Sequence, residues 1–431
     1  MNDTIFALAS GRGRAGVAVI RLSGPRAGSA IDTLIGTRPA PRLARLSALR
    51  DPADGSVIDR ALILWFPGPA SFTGEDIAEF HIHGGRAIIA RLTDVFTTLG
   101  LRPAGPGEFT RRAFEHGKLD LSQAEAVADL VDAETEAQRR QALRQLDGAM
   151  GRLYEAWRDR LKVLLARLEA LIDFPDEGLD DAIEGEVLAA LGPLRDEIAR
   201  HLADGHRGER LRDGFEIAIM GAPNVGKSSL LNRLSASDVA IVSDIPGTTR
   251  DVIEVALDLG GYRVLLIDTA GLRETDDPIE REGVRRARLR ADGADLRLHV
   301  INPGDTLPPA LPGIETILIA NKADLGAAPD GAVPVSARTG QGIEALLALI
   351  SARVAERLEP GEAPAITRAR HRAAVEEAVS CLERTLSPLP QPAELRAEDL
   401  RLALRALGRV VGAVDVEDLL DVIFFEFCIG K

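Results

Sequence analysis

The sequence predicts a multidomain chain of mixed α/β and α+β class. An N-terminal α+β domain is followed by a helical domain that one α/β domain interrupts. Three observations carry that expectation. Residues 1–118 are rich in Gly and Pro and contain short β-like runs. Residues 119–173 contain no proline and repeat apolar side chains at three- and four-residue spacing. Residues 213–357 alternate strand-like and helix-like runs, with helical sequence on both sides. The boundaries are therefore 1–118, then 119–212 and 358–431 as the two parts of the helical domain, with 213–357 inserted between them.

The chain has 431 residues, enough for about three domains at roughly 150 residues each. With 45% hydrophobic and 27% charged residues, it has the composition of an ordinary globular protein. Disordered and collagen-like classes are excluded. Acidic residues outnumber basic ones by 66 to 52, for a net charge of −14. Bulk charge gives no reason to expect nucleic acid, so such a partner would meet a local basic patch in a salt-sensitive contact. Two cysteines, Cys381 and Cys428, exclude a disulfide framework and fit a reducing compartment. No apolar run reaches the roughly 18 residues of a membrane span. The first residues lack a signal peptide's long apolar core, so the expected location is cytoplasmic.

In the N-terminal stretch, residues 17–22, 61–66 and 77–82 read as strands bounded by Gly or Pro. Gly11-Arg12-Gly13-Arg14-Ala15-Gly16 imitates a dinucleotide loop. A strand rather than a helix follows it, which sets that reading aside. His81 and His83 share a strand face. With no third ligand at suitable spacing they read as pocket or interface residues rather than a metal site. Next, Leu153, Trp157, Leu161, Leu164, Leu165, Leu168 and Leu171 mark an amphipathic helical stretch. Phe174-Pro175-Asp176 ends it. Cys381, on a later helical stretch, reads as core. Cys428, three residues from the end, reads as an exposed thiol with Lys431 nearby.

The inserted domain opens with alternating apolar residues Phe215, Ile217 and Ile219. Gly221-Ala222-Pro223-Asn224-Val225-Gly226-Lys227-Ser228 follows, then a helix-like run from Ser229. This is a phosphate loop in its strand–loop–helix context. Its glycines let N–H groups turn inward, Lys227 supplies charge to the phosphates, Ser228 can ligate Mg²⁺, and the helix start attracts anions. An apolar strand then ends in Asn321-Lys322-Ala323-Asp324, the guanine-reading pattern. Asp324 can accept from the ring N–H and exocyclic amine of guanine, a pair that adenine does not offer. Ser336-Ala337 matches the last guanine motif. Asp268-Thr269-Ala270-Gly271 is the γ-phosphate sensor, with Asp268 on the Mg²⁺ side. Thr249 is the candidate switch threonine. The inserted domain is therefore expected to be a Ras-like P-loop G domain that binds GTP.

Leu272 stands where many GTPases carry a water-orienting Gln, so another group must do that work. Glu274, Glu280 and Glu282 are nearby, and Arg250 and Arg273 imitate arginine fingers. Aromatics make up only 4%, so base-stacking platforms are not evident. The basic clusters Arg139-Arg140, Arg144 and Arg285-Arg286, Arg288, Arg290 are candidate nucleic-acid or partner contacts, or solvated helix faces.

Several segments together carry a resemblance. They are Gly221–Ser228, Asp244-Ile245-Pro246-Gly247-Thr248-Thr249-Arg250-Asp251 and Asp268-Thr269-Ala270-Gly271-Leu272-Arg273-Glu274, with the ending Phe427-Cys428-Ile429-Gly430-Lys431. The N-terminal Arg21-Leu22-Ser23-Gly24, Phe72-Thr73-Gly74-Glu75-Asp76, Pro106-Gly107-Glu108-Phe109-Thr110 and Lys118-Leu119-Asp120-Leu121 join them. Over essentially its whole length the chain resembles the TrmE (MnmE) family of tRNA-modification GTPases. The resemblance implies nucleotide contacts from Asn224, Val225, Gly226, Lys227, Ser228, Ser229, Ser243, Asp244, Ile245, Pro246, Gly247, Thr248 and Thr249. It continues them through Asp268, Thr269, Ala270, Gly271, Asn321, Lys322, Asp324, Ser336 and Ala337. It implies Mg²⁺ on Ser228 and Thr249, and K⁺ on Asn224, Ser243, Ile245 and Thr248, with the ion driving G-domain dimerisation. Glu280 is then the catalytic, water-activating glutamate.

The resemblance further implies a homodimer and a folate site that includes Arg21, Glu79, Lys118 and Lys431. The folate would be a one-carbon carrier, 5-formyl- or methylene-tetrahydrofolate, with Cys428 a second catalytic candidate near it. The implied partners are tRNA and the FAD-dependent MnmG (GidA), in a heterotetramer or larger complex. The implied product is an aminomethyl-type group, such as carboxymethylaminomethyl, on C5 of the wobble uridine. Two other readings start from the same GTPase motifs. A ribosome-assembly GTPase would carry a GXXG-bearing helical unit after its G domain, and this chain has none. A pure switch or scaffold would have no use for the Cys428–Lys431 tail or the folate-like positions.

Overall fold

The computed structural model describes residues 3–430 apart from 12, 174–180, 205, 242–253, 269–292, 310–312, 360–363, 415 and 426. The chain forms two compact units. One contains residues 1–128, 145–166 and 397–431, the other 129–144 and 167–396.

The first unit is built on a sheet of β1 (Ile5–Leu8), β2 (Ala18–Ser23), β3 (Arg45–Arg50), β4 (Val57–Phe66), β5 (Ile77–Ile82) and β6 (Arg102–Pro103). Their order is β3-β4-β5-β2-β1-β6, antiparallel except where β6 joins β1. Alternation fits a half-covered sheet. In β4, Ala61, Ile63 and Trp65 are buried while Arg60 and Leu62 face out. α1 (Ala27–Ile35) and α2 (Arg86–Thr98) supply Ile31, Leu34, Leu92 and Phe96 to the buried face. There Phe96 meets Phe6 and Phe80, both at 5.4 Å between ring centroids. The other face receives Phe109 of α3 (Glu108–Glu115) against Ile5 and Ala7.

The helical stretch beginning at 119 is divided into α4 (Leu121–Asp132), α5 (Glu136–Leu146) and α6 (Ala149–Asp173). The breaks have local causes. At the start of α4, the Asp120 carboxylate accepts from the Gln123 N–H, while the Gln123 side chain accepts from the Asp120 N–H. At the start of α5, Gln138 accepts from the N–H groups of Glu134 and Thr135. The first is a reciprocal capping box, and the second has the Gln side of one. Before α6, Gly148 adopts φ 76°, a left-handed stop. In α6 the repeat buries Trp157, Leu161, Leu164, Leu165 and Leu168, and leaves Leu153 and Leu171 half-buried.

In the second unit, α7 (Asp181–Leu202) and α8 (Arg207–Asp213) lead to β7 (Phe215–Met220) and α9 (Lys227–Ser235). Then come β8 (Glu254–Leu259), β9 (Tyr262–Asp268), β10 (Leu296–Ile301), β11 (Thr316–Ala320), β12 (Val333–Pro334) and α10 (Ile343–Leu358). The strands order as β12-β11-β10-β7-β9-β8, parallel except for β8 against β9. The chain leaves β7 for one side of the sheet and returns to the other. That reversal opens a crevice beyond the carboxyl end of β7, where an open α/β sheet binds ligands. Ile217, Ile219, Leu266, Leu298 and Ile319 fill the core beneath it. Of the following helices, α11 (Ala369–Thr385) packs on α7 and buries Cys381. α12 (Ala393–Val411) crosses from one unit to the other. α13 (Glu417–Phe425) joins α4 through Leu420 and Phe424 in the first.

Candidate functional site

The phosphate loop begins where β7 ends. Gly221 has φ 141°, and a Cβ there would stand 2.2 Å from the Val300 carbonyl oxygen. At Gly226, φ is 94° and a Cβ would meet Asn321 Nδ2 at 2.4 Å. Only glycine satisfies both positions. Asn224 is also left-handed, at φ 66°. Lys227 curls back over the loop, its ammonium donating to the carbonyls of Gly221 at 2.7 Å and Ala222 at 2.9 Å. Ser228 donates to the Asp268 carboxylate at 3.1 Å. Asp268 ends β9 and is almost wholly buried. One hydroxyl and one carboxylate, both hard oxygen ligands, thus address the same place. Val225 is buried, and Ser229 is exposed on α9.

The base side is tied to the loop by one amide. Asn321 donates to the Val225 carbonyl at 2.9 Å and accepts from the Ala337 N–H at 3.1 Å. It therefore joins the phosphate loop, the Asn321–Asp324 turn and the Ser336-Ala337 turn. Lys322, at φ 63°, donates to the Asn224 carbonyl at 2.9 Å. The buried Ser336 hydroxyl donates to Asp324 at 2.6 Å, and Arg338 pairs with the same carboxylate. The Ser336 hydrogen bond is the leading reason that the Asp324 carboxyl lies below the usual carboxylate range. The arrangement suits a polyphosphate at one end and a donor-bearing base at the other.

Two residues here escaped the sequence reading. Arg338 is one; it directly follows a recognised motif. His299 on β10 is the other. Burial and then the charge of Lys227 hold its imidazole below the ordinary value, and its buried Nδ1 has no hydrogen-bond partner among the described residues. Ser243, Asp244, Ile245, Pro246, Gly247, Thr248, Thr249, Thr269, Ala270, Gly271, Glu280 and Lys431 lie outside the described residues. So do Arg250, Leu272, Arg273, Glu274, Glu282 and the Arg285–Arg290 cluster. Of the potassium set only Asn224 is described, exposed on the loop.

In the first unit, Arg21 on β2 faces Glu79 on β5. Its Nε and Nη2 donate to Glu79 Oε1 at 3.0 and 2.8 Å. The guanidinium lies 5.7 Å from the Phe72 ring centroid and 5.9 Å from that of Phe109, within cation–π range. Both rings belong to motifs that carried the resemblance. The motifs also converge on Arg112, which is 1% exposed. It donates to Glu75 at 3.0 Å, Asp3 at 2.8 Å and Glu108 at 3.1 Å, and Glu75 in turn accepts from Ser23 at 2.7 Å. Lys118 is exposed.

The C-terminal tail reaches the same sheet. Ile429 bridges Pro106, the Cys428 carbonyl accepts from Gly107 N–H at 3.4 Å, and the Cys428 thiol is exposed. Gly430 is so close to β1 that a Cβ would be 2.3 Å from the Leu8 carbonyl oxygen. The paired histidines separate, His81 to Glu79 at 3.2 Å and His83 to Asp59 at 2.8 Å. Arg139 and Arg140 both pair with Glu136, at 2.7 and 2.8 Å.

Comparison with known proteins gives two family matches. Residues 4–118 match the GTP-binding protein TrmE N-terminus, and residues 121–428 match the MnmE helical domain. The tRNA modification GTPase MnmE of Parvibaculum lavamentivorans is 58% identical over 441 residues, covering all of both chains. Its counterpart in Rhodospirillum rubrum is 56% identical over 455 residues, covering 100% of this chain and 99% of that one. The G domain of the T. maritima FeoB iron transporter is 26% identical and covers 32% of this chain and 98% of its own, with a TM-score of 0.23. The two family matches and the end-to-end identity agree with the phosphate loop and the guanine-reading turn: this chain belongs to the MnmE (TrmE) family of tRNA modification GTPases.

Proposed function

We propose that the chain is a GTP-hydrolysing component of a tRNA-modifying complex, which adds a carboxymethylaminomethyl (aminomethyl-type) group to C5 of the wobble uridine of certain tRNAs. The observation that carries the GTP reading is the double role of Asn321, which ties the phosphate loop to the base-reading turns. Family membership supports the tRNA role. Val225, Gly226, Ser229, Lys322, Ser336 and Ala337 complete the nucleotide site with Lys227 on the phosphates and Asp324 on guanine. Ser243, Asp244, Ile245, Pro246, Gly247, Thr248, Thr269, Ala270 and Gly271 join them.

Mg²⁺ fits the convergence of Ser228 and Asp268, with Thr249 as the switch ligand, and would supply charge beside the phosphates. K⁺ fits an exposed oxygen-bearing Asn224, with Ser243, Ile245 and Thr248 completing its set. Added positive charge at that position stabilises the transition state for phosphate cleavage. Glu280 orients the attacking water, since the Leu272 side chain has no polar atom to do so.

In the first unit, Arg21, Glu79, Lys118 and Lys431 are the proposed folate residues. Support comes from the carboxylate and guanidinium flanked by two phenyl rings, which suit a flat donor-rich heterocycle with an acidic tail. The folate would supply the one-carbon unit, with Cys428 near it. The complex includes a second copy of the chain and the FAD-dependent MnmG, and works in the cytoplasm.

The test is GTP turnover in potassium against sodium, for the parent, Glu280→Ala and Asn224→Ala. The parent is expected to be strongly potassium-dependent. Glu280→Ala should lose about 100-fold or more in turnover, the scale of a lost general base, while still binding GDP. Asn224→Ala should lose the potassium response and keep its fold. Equal parent rates in the two salts would remove the potassium reading. Unchanged wobble uridine in tRNA from cells lacking the gene, read by mass analysis, would remove the modification reading.

A further inference from the structure

The carboxylate that reads the base is already occupied. Asp324 Oδ1 takes the hydroxyl of wholly buried Ser336 at 2.6 Å, and Oδ2 is held by Arg338 Nη2. The first contact belongs to the scaffold. The second does not, because the Arg338 side chain is 75% exposed against 13% for Asp324. A solvent-exposed guanidinium reaches in to a nearly buried carboxylate.

A guanidinium offers adjacent N–H donors in one plane. The edge of guanine that a carboxylate reads, its ring N–H and exocyclic amine, is the same donor array on a planar frame. Both cannot hold the same carboxylate edge at once. We propose that Arg338 is a tethered surrogate for guanine, which holds Asp324 in the nucleotide-free protein and yields it when the base arrives. Arg338 thereby sets guanine affinity by competition. The inference rests on the reading of Asp324 as base acceptor.

Three features make the competition effective but mild. The tether is short, because the 336–341 loop is closed by Ser336 N–H to the Gln341 carbonyl and Gly340 N–H to the Ser336 carbonyl, each at 2.8 Å. A short tether means a high effective concentration. The pair is exposed on one side, so it is weak and screened by salt. Ser336 holds the other oxygen, Oδ1, and its hydrogen bond is the leading cause that favours the ionised carboxylate, so the acceptor does not depend on Arg338 alone.

The test titrates full-length parent and Arg338→Ala with GDP and ADP by calorimetry, at about 0.05 M and about 0.5 M choline chloride, either side of effective screening. Choline avoids any specific potassium effect. The variant is expected to bind GDP about two- to five-fold tighter at low salt, the worth of an exposed ion pair, and to converge with the parent at high salt. Equal or weaker binding by Arg338→Ala at low salt overturns the inference. Asp324→Asn separates the two ways of failing. If it loses GDP while Arg338→Ala gains nothing, only the surrogate falls. If it binds GDP like the parent, or if the parent prefers ADP, the base-recognition reading falls and takes the surrogate with it.

Discussion

His201, in the last turn of α7, is 9% exposed. Burial, then the charges of Arg372 and His371, push its imidazole down to about 4. In an unfolded chain the ring titrates near 6.5. Between those values the unfolded chain binds a proton that the folded one refuses. His201 therefore imposes no penalty above about pH 6.5, and stability falls as pH drops from there towards 4. The loss approaches the order of 3 kcal/mol at the acid end. The melting midpoint should fall steeply across that window, and less steeply in His201→Gln; an identical slope would show that another group titrates. This residue was not legible in the sequence, because its burial depends on α11, far along the chain. The glycines of the phosphate loop were legible, because their spacing alone dictates the turn. Arg338, His299 and Arg112 were not, since each acquires its meaning from a partner that only the fold supplies.

Elements were legible where their signals are local. The strand at 77–82 is β5 as read, and the amphipathic repeat from 153 to 168 is the buried side of α6. The division of the helical stretch into α4, α5 and α6 was written in Asp120–Gln123, Thr135–Gln138 and Gly148, signals that the apolar repeat overshadowed. The loop between β12 and α10 carries a sharper constraint. Gly342 caps α10 at φ 76°, and a Cβ there would be 2.1 Å from the Pro334 carbonyl oxygen. Neither the chain direction nor that oxygen can yield without moving Ser336. Gly342→Ala is expected to cost at least about 2 kcal/mol, from left-handed strain plus the clash, and to weaken GDP binding along with the melting midpoint. Loss of stability with GDP affinity intact would show that the cap and the base-reading turn move independently.

At the scale of the molecule, length suggested about three domains, and the change of texture at both ends of 213–357 suggested an inserted one. What length and texture could not show is how far the helices are shared. The two compact units trade segments at 129, 145, 167 and 397, positions that fall within helices and carry no break in sequence pattern. Ligand binding should respect that division. GDP at a hundredfold excess over its Kd adds about 2.7 kcal/mol to whatever unfolds with its site. Amide exchange in β7, β10 and β11 is expected to slow accordingly while β2 and β5 keep their rates. Equal slowing in all five strands would mean that the two units open as one.

The seat of Gly430 against Leu8 has a consequence for how the protein is made. The first strand of the sheet is translated long before the residues that close over its end, which follow it by about 420 positions. At about 5–20 residues per second, roughly 20 to 80 seconds separate the two. Throughout that interval the first unit lacks α13 and the tail, whereas the second has all its segments once residue 396 has emerged. The nucleotide-binding half can therefore finish folding while the half that holds β1 is still waiting for α13 and the residues that follow it.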